Sequence, residues 1–87
     1  MIIPITKELI SICKQINDKG FSIGQWKDIE SSDMLQTEHF CGGFDADECE
    51  FCFSHYTNDG KEYWFQFSLF SAMQISNGNK EEFIGEL

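Results

Sequence analysis

The stretch that decides the fold is residues 49–67, CEFCFSHYTNDGKEYWFQF, in which two aromatic-rich runs flank the turn-forming residues TNDG. Apolar and polar side chains alternate in both runs, which is the two-residue period of half-buried β-strands. A three-residue loop at 58–60, with Gly60 in the left-handed position, aligns the two apolar rows. The predicted pairs are Phe53 with Phe65, Phe51 with Phe67 and Cys49 with Leu69, and His55 falls on the same inward face.

The same alignment test extends the sheet upstream into residues 39–51, HFCGGFDADECEF. A turn at Ala46–Asp47 would place Gly42 opposite Phe51, whose ring can cover the bare glycine backbone. The other pairs predicted by this register are Phe44 with Cys49 and Phe40 with Phe53. The result is a three-stranded antiparallel meander over about 37–45, 48–57 and 61–70.

Helices are predicted on either side of the meander. In residues 4–20, PITKELISICKQINDKG, the apolar residues recur at helical spacing, with Pro4 in the first turn and Gly20 as the stop. Residues 21–36, around Trp26, suggest a short helix or turn, and 71–78 and 80–87 suggest short closing helices. The predicted fold class is α+β, one domain of residues 1–87, with the aromatic face of the meander packed on the first helix. The expected helical stripe is Ile5, Leu9, Ile12 and Ile16, with Cys13 beside it as a core residue.

Charge is the second strong feature of the chain. Fifteen acidic residues face six basic ones, none of them arginine, for a formal net charge of −9. From Asp28 to Gly60 there is no lysine or arginine. Such a chain is repelled by phosphate backbones and anionic membranes, so neither a nucleic acid nor a membrane is expected as a partner. A basic protein would be attracted to it, although acidity can also serve solubility alone.

Cysteine and histidine residues could form a metal site, but strand geometry divides them. Cys49, Cys52 and His55 are three apart, and residues three apart in a strand point to opposite faces. On the outward face, the predicted register sets Cys41 opposite Cys52 with His39 diagonal to them. These three residues are candidate metal ligands, the two thiols could form a disulfide, or both could be free cysteines. The last is expected in a reducing compartment, so no cofactor is predicted.

The outward face of the meander also carries aromatic side chains among carboxylates. A second layer formed by residues 21–35 could cover them, or they could be exposed as an anchor for a protein partner. The residues concerned are Tyr56, Trp64 and Phe70, flanked by Glu50, Glu62 and Gln66.

The sequence contains no recognisable catalytic pattern. The run DADECE at residues 45–50 begins like a calcium loop but lacks the glycine at position six and the glutamate at position twelve. There are only two histidines, and no phosphate-binding glycine loop occurs. We do not expect an enzyme. The N-terminus lacks a basic signal-peptide region and no apolar run approaches about 20 residues, so a cytoplasmic location is expected.

In size, acidity and lack of arginine the chain resembles a class of small protein inhibitors. The class comprises bacterial immunity proteins, which neutralise nuclease or other toxins as antitoxins do, and phage anti-CRISPR or other anti-defence inhibitors. The resemblance implies a stoichiometric inhibitor that occludes the cationic site of a basic toxin as a nucleic-acid mimic, with the anti-defence role as one alternative. A small metal- or thiol-bearing regulatory module is another. The residues expected to bind the partner are Asp45, Asp47, Glu48, Glu50, Asp28, Glu30, Asp33, Tyr56 and Trp64.

Overall fold

The structure, a computed structural model that describes residues 1–18, 34–45, 47–79 and 81–87, has an antiparallel four-stranded sheet and two helices. The α+β class is confirmed, but the sheet has one strand more than predicted, because Leu35 and Gln36 pair with Gly42 and Cys41. The strands lie side by side in chain order. The elements are α1 (Lys7–Asp18), β1 (Leu35–Gln36), β2 (Phe40–Asp45), β3 (Glu50–Tyr56), β4 (Glu62–Phe67) and α2 (Leu69–Ser76).

The hairpin of β3 and β4 has the predicted register. Phe53 pairs with Phe65 and Phe51 with Phe67. Gly60, with φ of 85°, takes the left-handed position in the loop, and its amide donates to the Thr57 carbonyl at 3.0 Å. The predicted pair of Cys49 with Leu69 is wrong, since neither residue lies in a strand.

The register of β2 against β3 differs from the prediction by two residues. Gly42 pairs with Phe53, and the last pair before the turn is Asp45 with Glu50. The Asp45 carboxylate accepts a hydrogen bond from the Asp47 amide at 2.9 Å, which favours a longer turn than the two-residue one predicted. A shift of two residues keeps every side chain on its predicted face. The pairs observed instead are Phe44 with Phe51, Phe40 with His55, Cys41 with Ser54 and Gly43 with Cys52.

Helix α1 confirms the predicted buried stripe except for Ile5, which lies before the helix and is half-buried. Leu9, Ile12, Cys13 and Ile16 are buried on one side of it. The prediction that Pro4 lies in the first helical turn is wrong, because the chain there is extended and the amide of its neighbour Ile3 donates to the Phe83 carbonyl at 2.9 Å. Gly20 and the element predicted around Trp26 lie outside the described residues.

The C-terminal segment is extended where a closing helix was predicted. Glu86 forms a bridge with Trp64, and Ile84 forms one with Ile2, so the segment continues the sheet beyond β4. Gly85 permits this close packing, since a Cβ there would lie 2.5 Å from the Cδ1 atom of Ile3. The other predicted closing helix exists as α2, which begins two residues earlier than expected because the Ser68 hydroxyl accepts a hydrogen bond from the Ser71 amide.

One hydrophobic core joins the helices to the inner sheet face. Aromatic rings of the three long strands contact one another; Phe51 stacks on Phe67 with centroids 5.5 Å apart. No helix among the described residues is long and apolar enough to cross a membrane. The buried core residues are Ile3, Leu9, Ile12, Cys13, Ile16, Phe40, Phe44, Phe51, Phe53, Phe65, Phe67, Ala72 and Ile75.

Candidate interaction surface

The sheet face turned away from the core carries exposed aromatic and acidic side chains, and we call it the outer face. Side chains alternate between the two faces along each strand. The even-numbered positions of β2 and the odd-numbered positions of β3 and β4 face the core, so the remaining positions form the outer face. Of the described residues at these outward positions, none is a lysine or arginine. The outward positions are Cys41, Gly43 and Asp45 in β2, Glu50, Cys52, Ser54 and Tyr56 in β3, and Glu62, Trp64 and Gln66 in β4.

Trp64 is the largest side chain on the outer face, and 66% of its surface is exposed. Its indole nitrogen donates to Glu62 Oε2 at 2.8 Å, and the Ser54 hydroxyl donates to the same oxygen at 2.6 Å. These two hydrogen bonds lower the pKa of Glu62, with the Ser54 bond contributing most. The indole is thus held in place next to a carboxylate that stays ionised.

The two chain ends enlarge this surface. The Trp64 amide donates to the Glu86 carbonyl at 2.6 Å and the Glu86 amide donates back at 2.8 Å. Ile84 and Ile2, which pair next to them, are 74% and 62% exposed. Sequence reasoning missed these residues, because the segment forms only isolated bridges with residues distant in the chain.

The acidic turn between β2 and β3 lies at one end of the outer face. Asp45 Oδ1 accepts hydrogen bonds from the amides of Asp47 and Glu48. The Glu48 carboxylate in turn accepts a bond from the Gln66 side chain, which also donates to Cys52 Sγ at 3.4 Å. The turn and the middle of the outer face are therefore joined by side-chain contacts.

A cleft of about 550 Å³ lies on the outer face, over the middle of β3 and β4 and beside the C-terminal segment. Trp64 and Ile84 are the exposed apolar residues of its lining, and Glu86 is the acidic one. We call it the outer cleft; its lining residues are Cys52, Phe53, Ser54, Trp64, Phe65, Gln66, Ile84 and Glu86.

The structure brings together most, but not all, of the residues predicted to bind a partner. Asp45, Asp47, Glu48, Glu50, Tyr56 and Trp64 lie on the outer face or in the turn beside it. Tyr56 is 38% exposed. Phe70 is exposed too, but it lies in α2 and not on the outer face as predicted. Asp28, Glu30 and Asp33 lie outside the described residues. The same holds for the layer of residues 21–35 that was predicted as a possible cover of the aromatic rings, of which only Met34 and Leu35 are described.

The register correction separates the three candidate metal ligands of the sequence. Cys41 faces Ser54 and Cys52 faces Gly43, so the two thiols are diagonal neighbours and both are free. Burial raises the pKa of the Cys52 thiol, partly offset by the hydrogen bond from Gln66. Within the described ranges, the sets of three potential ligand atoms that come within 4.8 Å of one another are Glu8, Glu38 and His39, and Asp45, Glu48 and Cys52.

A second polar cluster ties α1 to the two hairpins. His39 Nδ1 lies 2.7 Å from Glu8 Oε1, and its Nε2 lies 3.1 Å from Asn58 Oδ1. Thr37 donates to Glu8 Oε2 at 2.7 Å. The hydrogen bonds from Thr37 and His39 lower the pKa of Glu8 to about 2, and the bond to Glu8 raises the pKa of His39. The geometry is that of an ion pair anchoring three segments.

The chain matches no protein-family model, no curated protein and no solved structure in comparisons with all three. What can be said of its function therefore comes from its own residues.

Proposed function

We propose that the protein is a small acidic inhibitor that binds a basic protein through its outer face and occludes the partner's cationic site. The observation that carries this proposal is the exposed Trp64, fixed by Glu62 and set in a sheet face with carboxylates on either side. Large exposed aromatic rings are the usual anchors of protein interfaces, and a rim of like charges selects a partner of the opposite sign.

An immunity protein that neutralises a basic, nuclease-like toxin fits these properties best. A toxin that cleaves nucleic acid must attract phosphates, so its active-site cleft is cationic and complementary to an arginine-free chain with a net charge of −9. A phage inhibitor of a nucleic-acid-binding defence effector would use the same surface. The two roles differ in partner and not in mechanism.

The test is inhibition of a panel of purified cationic toxin nuclease domains, together with the product of any neighbouring toxin gene. We expect inhibition of at least one nuclease at a 1:1 ratio, weakening between low and moderate salt because the charges on the outer face are exposed. Absence of inhibition throughout the panel would contradict the proposal. So would inhibition that is indifferent to salt.

The alternative of a metal- or thiol-bearing regulatory module is favoured by one observation, the approach of Asp45, Glu48 and Cys52 to within 4.8 Å. Zinc analysis of protein purified without chelator, beside a Cys52→Ser variant, separates the two proposals. Stoichiometric zinc that is lost in Cys52→Ser would support the module, whereas metal-free protein that still inhibits a nuclease would support the inhibitor.

A further inference from the structure

We propose that the outer cleft binds an arginine side chain of the partner protein, which makes it the specificity site of the surface described above. This inference rests on the proposed function, since it names the group that the inhibitor would recognise. It is argued from the indole, the carboxylates and the shape of the cleft.

The indole of Trp64 presents a cation-binding face whose orientation is already fixed. A guanidinium stacked on a tryptophan ring is attracted by the negative face of the π system. The hydrogen bond from the indole nitrogen to Glu62 and the backbone pairing with Glu86 hold this ring on the sheet. Binding would therefore cost little side-chain ordering on this side of the interface.

Carboxylates stand beside the ring to receive the donors of the guanidinium. Glu62 uses Oε2 for both of its hydrogen bonds, and no described residue donates to its Oε1. Glu86 lines the cleft directly. An arginine has five N–H donors in a planar fork, which can stack on the indole and donate to a carboxylate at its edge at the same time.

The cleft favours a long cationic side chain by its apolar wall, and the indole favours a guanidinium over an ammonium. Ile84, 74% exposed, lies on the C-terminal segment next to Trp64 and can contact the methylene stem of a long side chain. A lysine ammonium is a strongly hydrated point charge and gains less from stacking on an aromatic face. None of the 87 residues is an arginine, so no side chain within this sequence competes for the cleft as a guanidinium.

The test uses hexapeptides of arginine, lysine and citrulline as probes. Affinities are measured by titration calorimetry at constant ionic strength, and in the natural protein the NMR signal of the Trp64 indole N–H reports whether the peptide contacts the ring. Citrulline has nearly the shape of arginine but no charge. We expect the arginine peptide to bind most tightly and to shift the Trp64 signal. Trp64→Leu, which keeps an apolar side chain but removes the ring, should weaken arginine binding about three- to fivefold.

Phe70→Leu is the matched control, because Phe70 is 61% exposed and lies in α2, off the outer face. It should bind the arginine peptide as the natural protein does. Equal binding of arginine and lysine peptides, tighter binding of citrulline, or an unchanged affinity in Trp64→Leu would each overturn the assignment.

The two proposals fail separately. If arginine peptides bind at Trp64 but no nuclease in the panel is inhibited, the proposed function is wrong and the cleft assignment stands. If a nuclease is inhibited equally well by the natural protein and by Trp64→Leu, and arginine peptides do not shift the indole signal, the cleft assignment is wrong and the proposed function stands.

Discussion

His39 and His55 lie close together in the fold, yet their surroundings move their pKa values in opposite directions. His39 is bonded to Glu8, which favours its charged form and raises its pKa. His55 is buried against Phe40, with ring centroids 4.7 Å apart, and among the described residues its Nδ1 has no partner. Burial disfavours the charged form and lowers the pKa of His55. The two residues therefore contribute opposite pH dependences to stability.

We expect His39→Gln to lower the free energy of unfolding most in mildly acidic solution. The pKa of His39 is higher in the folded protein than its ordinary value of 6.5. The ion pair therefore stabilises the fold fully at a pH below 6.5, and this contribution is lost as the pH rises through the folded-state pKa. Its partner Glu8 has a pKa lowered from its ordinary value of 4.5 to about 2. Glu8 therefore contributes its full stabilisation above pH 4.5, and this contribution is lost as the pH falls toward 2. The pair is thus most effective between about pH 4.5 and 6.5.

The measurement is urea unfolding of the natural protein and His39→Gln from pH 5 to 9. The difference between the two free energies should shrink as the pH rises. A difference that stays constant over this range would show that the His39–Glu8 ion pair does not form as described.

Cys13 and Cys49 differ in the reactivity we expect of their thiols. Cys13 is completely buried, and burial raises its pKa to about 12, whereas Cys49 is exposed in the acidic turn. Because the thiolate is the reactive form, alkylation of the native protein at pH 8 should modify Cys49 first and Cys13 only after unfolding. Mass spectrometry of peptides after timed alkylation checks the order; early modification of Cys13 would contradict the packing of α1.

At the scale of elements, Gly42 in β2 lies close against the backbone of Cys52 and Phe53 in β3. A Cβ atom at Gly42 would lie 2.7 Å from the Phe53 Cα atom, and both strands are held in place by neighbours. We expect Gly42→Ala to lower the free energy of unfolding by about 1–3 kcal/mol, the usual cost of overpacking. Gln66→Ala, an exposed change in β4, is the control and should cost less than half of this. Equal losses in urea unfolding would argue against the close packing of Gly42 on the backbone of β3.

The registers of β2, β3 and β4 show how much of the fold could be predicted from the sequence. Alternation in residues 49–67 was sufficient for the β3–β4 register, because the length of the loop and the position of Gly60 left one solution that aligned the aromatic rows. It was insufficient for β2–β3, since a shift of two residues leaves every face unchanged and the deciding contact is a hydrogen bond from the Asp47 amide to Asp45.

The C-terminal segment was beyond sequence reasoning for a different reason. Its residues form bridges with Trp64 and Ile2, which are distant in the chain, and non-local pairing of single residues leaves little periodicity to read. As a result, the exposed Trp64 was predicted on the outer face, but Ile84 and Glu86 were missed. These two of the eight residues that line the outer cleft could not be found without the tertiary structure.

At the scale of the whole molecule, net charge and its placement make separate contributions to binding. Long-range attraction depends on the total charge of −9, whereas affinity at contact depends on which carboxylates lie in the interface. Two variants with equal charge can therefore separate the contributions. Glu50→Gln/Glu62→Gln changes the outer face, and Asp18→Asn/Glu38→Gln changes residues away from it; each reduces the net charge from −9 to −7 by removing two acids.

The most direct test of the outer face as the binding surface is the inhibition constant of these two variants against the nuclease that the natural protein inhibits, at one fixed moderate salt concentration. We predict that Glu50→Gln/Glu62→Gln inhibits at least tenfold more weakly than Asp18→Asn/Glu38→Gln, which should stay close to the natural protein. Equal inhibition constants for the two variants would contradict the account, because binding would then depend on net charge and not on the outer face.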